Sequence, residues 1–103
     1  MLVRADLEVE YAKLFKSYNY GLVAWSPLAG GFLTGKYLNG IPQDEVTRAN
    51  DTSFWFPIEL TKKLFYDQHS TDKTIDRLKE VSGIAEKLGG KLTHLAIAWC
   101  IKY

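Results

Sequence analysis

Residues Gly21-Leu22-Val23-Ala24-Trp25 form an apolar run without polar alternation, and the chain then enters the small-residue loop Ser26-Pro27-Leu28-Ala29-Gly30-Gly31. Such a run predicts a β-strand over residues 20–25 that is covered on both faces, the environment of a parallel sheet. A parallel strand satisfies its backbone N–H and C=O groups only through neighbouring strands. No second segment of the sequence reads convincingly as such a neighbour. One buried, unpaired backbone group costs about 1–3 kcal/mol, whereas a small domain is stable by only about 5–15 kcal/mol in total. The strand therefore demands companions, and the chain reads as a piece of a larger barrel that is marginal, oligomeric or aggregation-prone alone.

The surrounding segments read as helices. Over 5–18, Leu7, Tyr11, Leu14, Phe15 and Tyr18 make one apolar stripe, with acidic residues near the start, Lys13 and Lys16 toward the end, and Asn19 or Gly21 to close it. Residues 26–56 are irregular, punctuated by Pro27, Gly30, Gly31, Gly35, Gly40 and Pro42, with a short turn expected at Phe32–Tyr37. Phe54-Trp55-Phe56 would plug this loop onto the rest of the protein or stack on a ligand. A short helix is expected over 58–66. A longer one over 73–88 follows N-cap residues Ser70-Thr71-Asp72 and ends at Gly89-Gly90. The last, capped by Thr93 and running to Tyr103, is apolar nearly all round and so should be buried in a bigger body. Helix followed by strand is half of an α/β unit.

The 103 residues allow one domain, and 13 basic against 12 acidic residues leave a net charge of +1. That balance supports neither a nucleic-acid surface nor a polybasic membrane patch. No apolar run approaches the ~20 residues of a membrane span, and the N-terminus lacks the apolar core of a secretory signal. The cytosol is the expected compartment. Cys100 is the single cysteine and reads as a small core residue. His69 and His94 are far apart and lack ligand spacing, so no metal is expected. No pairing of a nucleophile with a base is visible.

Chemistry concentrates after the strand. Ser26 supplies a hydroxyl, Ala29, Gly30 and Gly31 let backbone N–H groups approach a phosphate, and Lys36 adds positive charge. In parallel α/β proteins this loop lies where ligands bind. A plain turn with a surface lysine is the alternative. Gly30, Gly35 and Lys36 also satisfy G-x-x-x-x-G-K, but Tyr37 stands where a nucleoside-triphosphate loop needs Ser or Thr for magnesium. Arg48 could clamp a further phosphate or be an ordinary solvated arginine.

The strings Trp25-Ser26-Pro27-Leu28-Ala29-Gly30-Gly31 with Gly35-Lys36-Tyr37, Gly40-Ile41-Pro42 through Arg48, and Leu95-Ala96-Ile97-Ala98-Trp99-Cys100 resemble the aldo-keto reductase superfamily. The likeness is greatest to the branch of voltage-gated potassium-channel beta subunits and related NADPH-dependent reductases, and it covers residues 4–103. The resemblance implies an α/β fold, part of a (β/α)8 TIM barrel of typically ~250 residues. The chain would supply about strand 7 with flanking helices 6 and 7, mostly helical as an isolated chain. Residues 1–103 would be the C-terminal portion of an NADP-dependent oxidoreductase domain. The resemblance further implies cofactor contacts at Trp25, Ser26, Pro27, Leu28, Ala29, Gly30 and Lys36, and an Arg48 that meets the adenosine 2′-phosphate and favours NADP over NAD. Two extra residues lie between Pro42 and Arg48, and Val46 replaces that branch's tyrosine. The family's catalytic Asp, Tyr, Lys and His have no counterparts among these residues, so general acid catalysis is not expected of this chain alone. Expected partners are NADP(H) and a carbonyl substrate in the intact parent. Alternatively, the parent is a channel-regulatory beta subunit docking on a potassium-channel alpha subunit, or the chain is a non-catalytic helical interaction module.

Overall fold

Thr71 begins the best-formed part of the chain. Its hydroxyl accepts the Thr74 N–H at 3.3 Å and opens a sixteen-residue helix, α3 (Asp72–Lys87; α1 and α2 precede it and are given below). Leu78 and Ala85 point this helix into the core, and Gly89 and Gly90 end it in a Schellman arrangement. The Gly89 N–H donates to Glu86 O and the Gly90 N–H to Ala85 O, each at 2.9 Å, with Gly89 at the positive φ of 77° that the motif requires. This computed structural model describes Leu2, residues 4–53 and residues 57–102, with Leu64 and Phe65 as backbone only.

The final helix, α4 (Leu92–Ile101), begins two residues after Gly90. Its N-cap is Lys91, not Thr93: the imidazole Nδ1 of His94 accepts the Lys91 N–H at 3.2 Å. Leu92 and Ala96 are buried against α3 and the loop, while Ile101 is exposed. Leu95, Ile97, Trp99 and Cys100 are half-buried and Ala98 is exposed, so a helix that is apolar nearly all round is incompletely covered.

Before α3, the expected 5–18 helix forms in two parts. A π-helical turn, Asp6–Glu10, bends at Tyr11 into α1 (Ala12–Tyr18), which Asn19 closes in the left-handed conformation. The expected 58–66 helix is α2 (Ile58–Lys62), continued by a π-helical turn, Lys63–Asp67. The Phe54-Trp55-Phe56 cluster lies outside the described residues.

The strand expected over 20–25 does not form. Residues 19–24 adopt no regular structure, and among the described residues the one β feature is an isolated bridge between Leu38 and Gly40. Val23 is 97% exposed and Trp25 90% exposed, in a segment whose composition calls for cover on both faces. The reason is the one that makes the strand demanding: without neighbouring strands there is no ladder for it to join. The core instead gathers Phe32, Leu33, Tyr37, Ala49, Leu78, Leu92 and Ala96. The radius of gyration is 15.3 Å, against about 13 Å for a compact domain of this length. Helices and loop are therefore spread around a small core.

Candidate functional site

The loop after Trp25 is held by its own backbone and by the Ser26 side chain. The Ala29 N–H donates to Ser26 O at 2.8 Å, the Gly31 N–H to Leu28 O at 3.0 Å, and the Gly30 N–H to Ser26 Oγ at 3.1 Å. All three amides that small residues could have offered to a phosphate are thus engaged internally. In this conformation none of these three amides is left over for a ligand, and the polar side chains on the cleft side of the loop are Ser26, Thr34 and Lys36. The glycines serve a different need. Gly31 has φ 109°, and a Cβ there would stand 3.2 Å from Cε2 of Tyr37, so the turn closes over that ring only without a side chain.

A 3-10 stretch, Ala29–Thr34, carries the chain from this turn into the core, burying Phe32 and Leu33. Thr34 Oγ1 donates to Gly31 O at 2.6 Å and accepts the Lys36 N–H at 3.3 Å, which fixes the base of the lysine side chain. Tyr37 turns inward onto Phe32 and Tyr66, with ring centroids 5.0 and 5.4 Å away. The residue after Gly35-Lys36 is therefore a core aromatic, which removes the nucleoside-triphosphate-loop reading: that position can hold no magnesium ligand.

Arg48 is positioned by Asn50, which the sequence reading passed over. Asn50 Oδ1 accepts from the Thr47 N–H at 2.6 Å and from the Thr47 hydroxyl at 3.1 Å, while its Nδ2 donates to Pro42 O at 2.9 Å and Glu45 O at 3.0 Å. One amide side chain closes the 42–50 loop, and buried Thr47 and Ala49 anchor it on either side of exposed Arg48. A Thr-x-x-Asn spacing in a polar turn is the signal that could have revealed it, because asparagine side chains bond nearby backbone in such turns.

These two loops face each other across a cleft of about 660 Å³. Trp25, Ser26, Pro27, Leu28, Gly30, Lys36 and Arg48 line it, together with Gly31, Thr34, Tyr37, Val46, Thr47 and Asp51. Ala29 alone of the expected contacts lies elsewhere, on a hollow of about 460 Å³ shared with Leu22, Val23, Trp25, Trp99 and Cys100. The Asp51 carboxyl accepts both the hydroxyl and the N–H of Ser53, which hold its pKa below the usual value. Lys36 Nζ lies 3.6 Å from Glu45 Oε1. Apolar walls at Trp25, Pro27, Leu28 and Val46 with two cations suit a ligand that has both rings and phosphates, and the volume is within the ~300–1,000 Å³ of small-molecule sites. Among the described residues no group of three His, Cys, Asp or Glu could hold a metal ion, and no helix is long and apolar enough to cross a membrane.

The model of the Aldo/keto reductase family matches residues 1–103. The chain belongs to that family. Aldo/keto reductases are (β/α)8 barrels and typically depend on NAD(P)H. A protein of Oryza sativa subsp. japonica described as "Probable voltage-gated potassium channel subunit beta" is 40% identical over 98 residues, covering 94% of this chain and 27% of that protein. The chain thus spans about a quarter of the length of that relative.

Proposed function

We propose that residues 1–103 are the C-terminal portion of an aldo/keto reductase barrel, about its seventh strand with flanking helices 6 and 7, and that they hold the phosphate-bearing part of NADP(H). The observation that carries this is one cleft lined by Trp25, Ser26, Lys36 and Arg48, drawn from two loops of an otherwise irregular section. Lys36 and Ser26 meet the phosphates, Arg48 meets the 2′-phosphate as a planar, bidentate donor, and Pro27 and Leu28 shape the floor. Bound NADPH would supply hydride to a carbonyl compound. The residues described here bind and orient that group, and proton donation to the carbonyl oxygen is assigned to polypeptide other than these residues. The compartment is the cytosol.

A second reading is favoured by the identity to the rice protein: the parent is a channel-regulatory beta subunit that uses the same cleft while docking on a potassium-channel alpha subunit.

Titration of the chain with NADPH, followed by tryptophan fluorescence, tests the site. Saturable but weak binding is expected, because the strand that positions the loop lacks its sheet. Lys36→Ala should weaken it about tenfold, the loss of one charge-assisted hydrogen bond. Submicromolar affinity left unchanged by Lys36→Ala contradicts the assignment.

A further inference from the structure

We infer that Glu45 is a built-in competitor for the ligand's phosphate: its carboxylate holds Lys36 in the free cleft, and a phosphate binds by displacing it. This rests on the reading of the cleft as a nucleotide-phosphate site and adds what sets its affinity.

The ion pair joins the two loops: Lys36 lines the cleft, and its Nζ lies 3.6 Å from Glu45 Oε1. The loop amides of Ala29, Gly30 and Gly31 are all engaged within the turn. Phosphate recognition therefore depends on the side-chain cations, and whatever neutralises Lys36 acts directly on affinity. Glu45 is also held in place, since its own carbonyl accepts the Asn50 amide that closes the 42–50 loop. The two side chains remain 36% and 52% accessible. At that exposure an ion pair is weak, and a phosphate carrying more charge and several acceptor oxygens outcompetes a single carboxylate. Asp51, its pKa lowered by the Ser53 hydroxyl and N–H, places a negative charge in the lining itself. Carboxylates in the cleft and on Lys36 therefore oppose the ligand that the cations attract.

The test is titration of the full chain with NADPH and, separately, with inorganic pyrophosphate, at low and physiological salt. Glu45→Gln should tighten both about three- to tenfold at low salt, and less at about 0.15 M, where screening sets in within about 8 Å. In a Lys36→Ala background Glu45→Gln should change affinity less than twofold. Asp44→Asn, the same charge change one residue away, should also act less than twofold at physiological salt. Equal affinity of wild type and Glu45→Gln, with both binding NADPH, overturns the competitor role and leaves the nucleotide reading standing. If NADPH binds neither, the nucleotide reading falls. Pyrophosphate then decides alone: a Glu45→Gln chain no tighter for it than wild type overturns the inference.

Discussion

Phe32→Ala should destabilise the chain by about 3–5 kcal/mol, the range for removing a buried phenyl ring. Phe32 is 1% exposed and meets Tyr37, Tyr66 and His69, with ring centroids 5.0, 5.4 and 5.6 Å away. It sits where the 3-10 stretch joins the π-helical turn before α3, so its loss opens the core that the loop and the helices share. Against a total of about 5–15 kcal/mol, that loss should abolish a cooperative near-ultraviolet melt, whereas Leu88→Ala, at a site 74% exposed, should stay within about 0.5 kcal/mol. A Phe32→Ala midpoint equal to that of Leu88→Ala would contradict this placement of the core.

Arg48→Ala should cost ten- to a hundredfold in NADPH affinity, about 1.5–3 kcal/mol for hydrogen bonds to a charged group, and less than about twofold in NADH affinity. The two ligands differ only in the 2′-phosphate, so the ratio isolates the role proposed for this residue. Asn50 closes the loop on both sides of Arg48, and the guanidinium is therefore presented from a fixed backbone. Equal losses for NADPH and NADH would mean that Arg48 shapes the loop without reading the phosphate.

Local signals carried the helices, and long-range requirements did not. The termini of α3 were legible because Thr71 and Gly89-Gly90 act on backbone within four residues of themselves. The start of α4 was misplaced at Thr93 because hydroxyl capping is the commoner device and His94 Nδ1 performs it here. Over 20–25 the composition predicts a doubly covered parallel strand, and none forms, because a strand exists only with its partners. The family strings at 25–31 and 36 picked out residues that, Ala29 apart, line one cleft. What escaped was how each side chain is held: the four-bond closure by Asn50 is hinted at only by its spacing from Thr47, and Glu45 is brought to Lys36 only by the fold of the loop.

Amide hydrogen exchange of Leu22, Val23, Ala24 and Trp25 in the 103-residue chain, at several protein concentrations, goes to the heart of this account. Exchange near the unprotected rate is expected in the monomer, with protection appearing only when other polypeptide supplies the missing parallel strands. Slow, concentration-independent exchange at these four amides would show a sheet assembled within the chain itself, and the barrel-segment account would then fail.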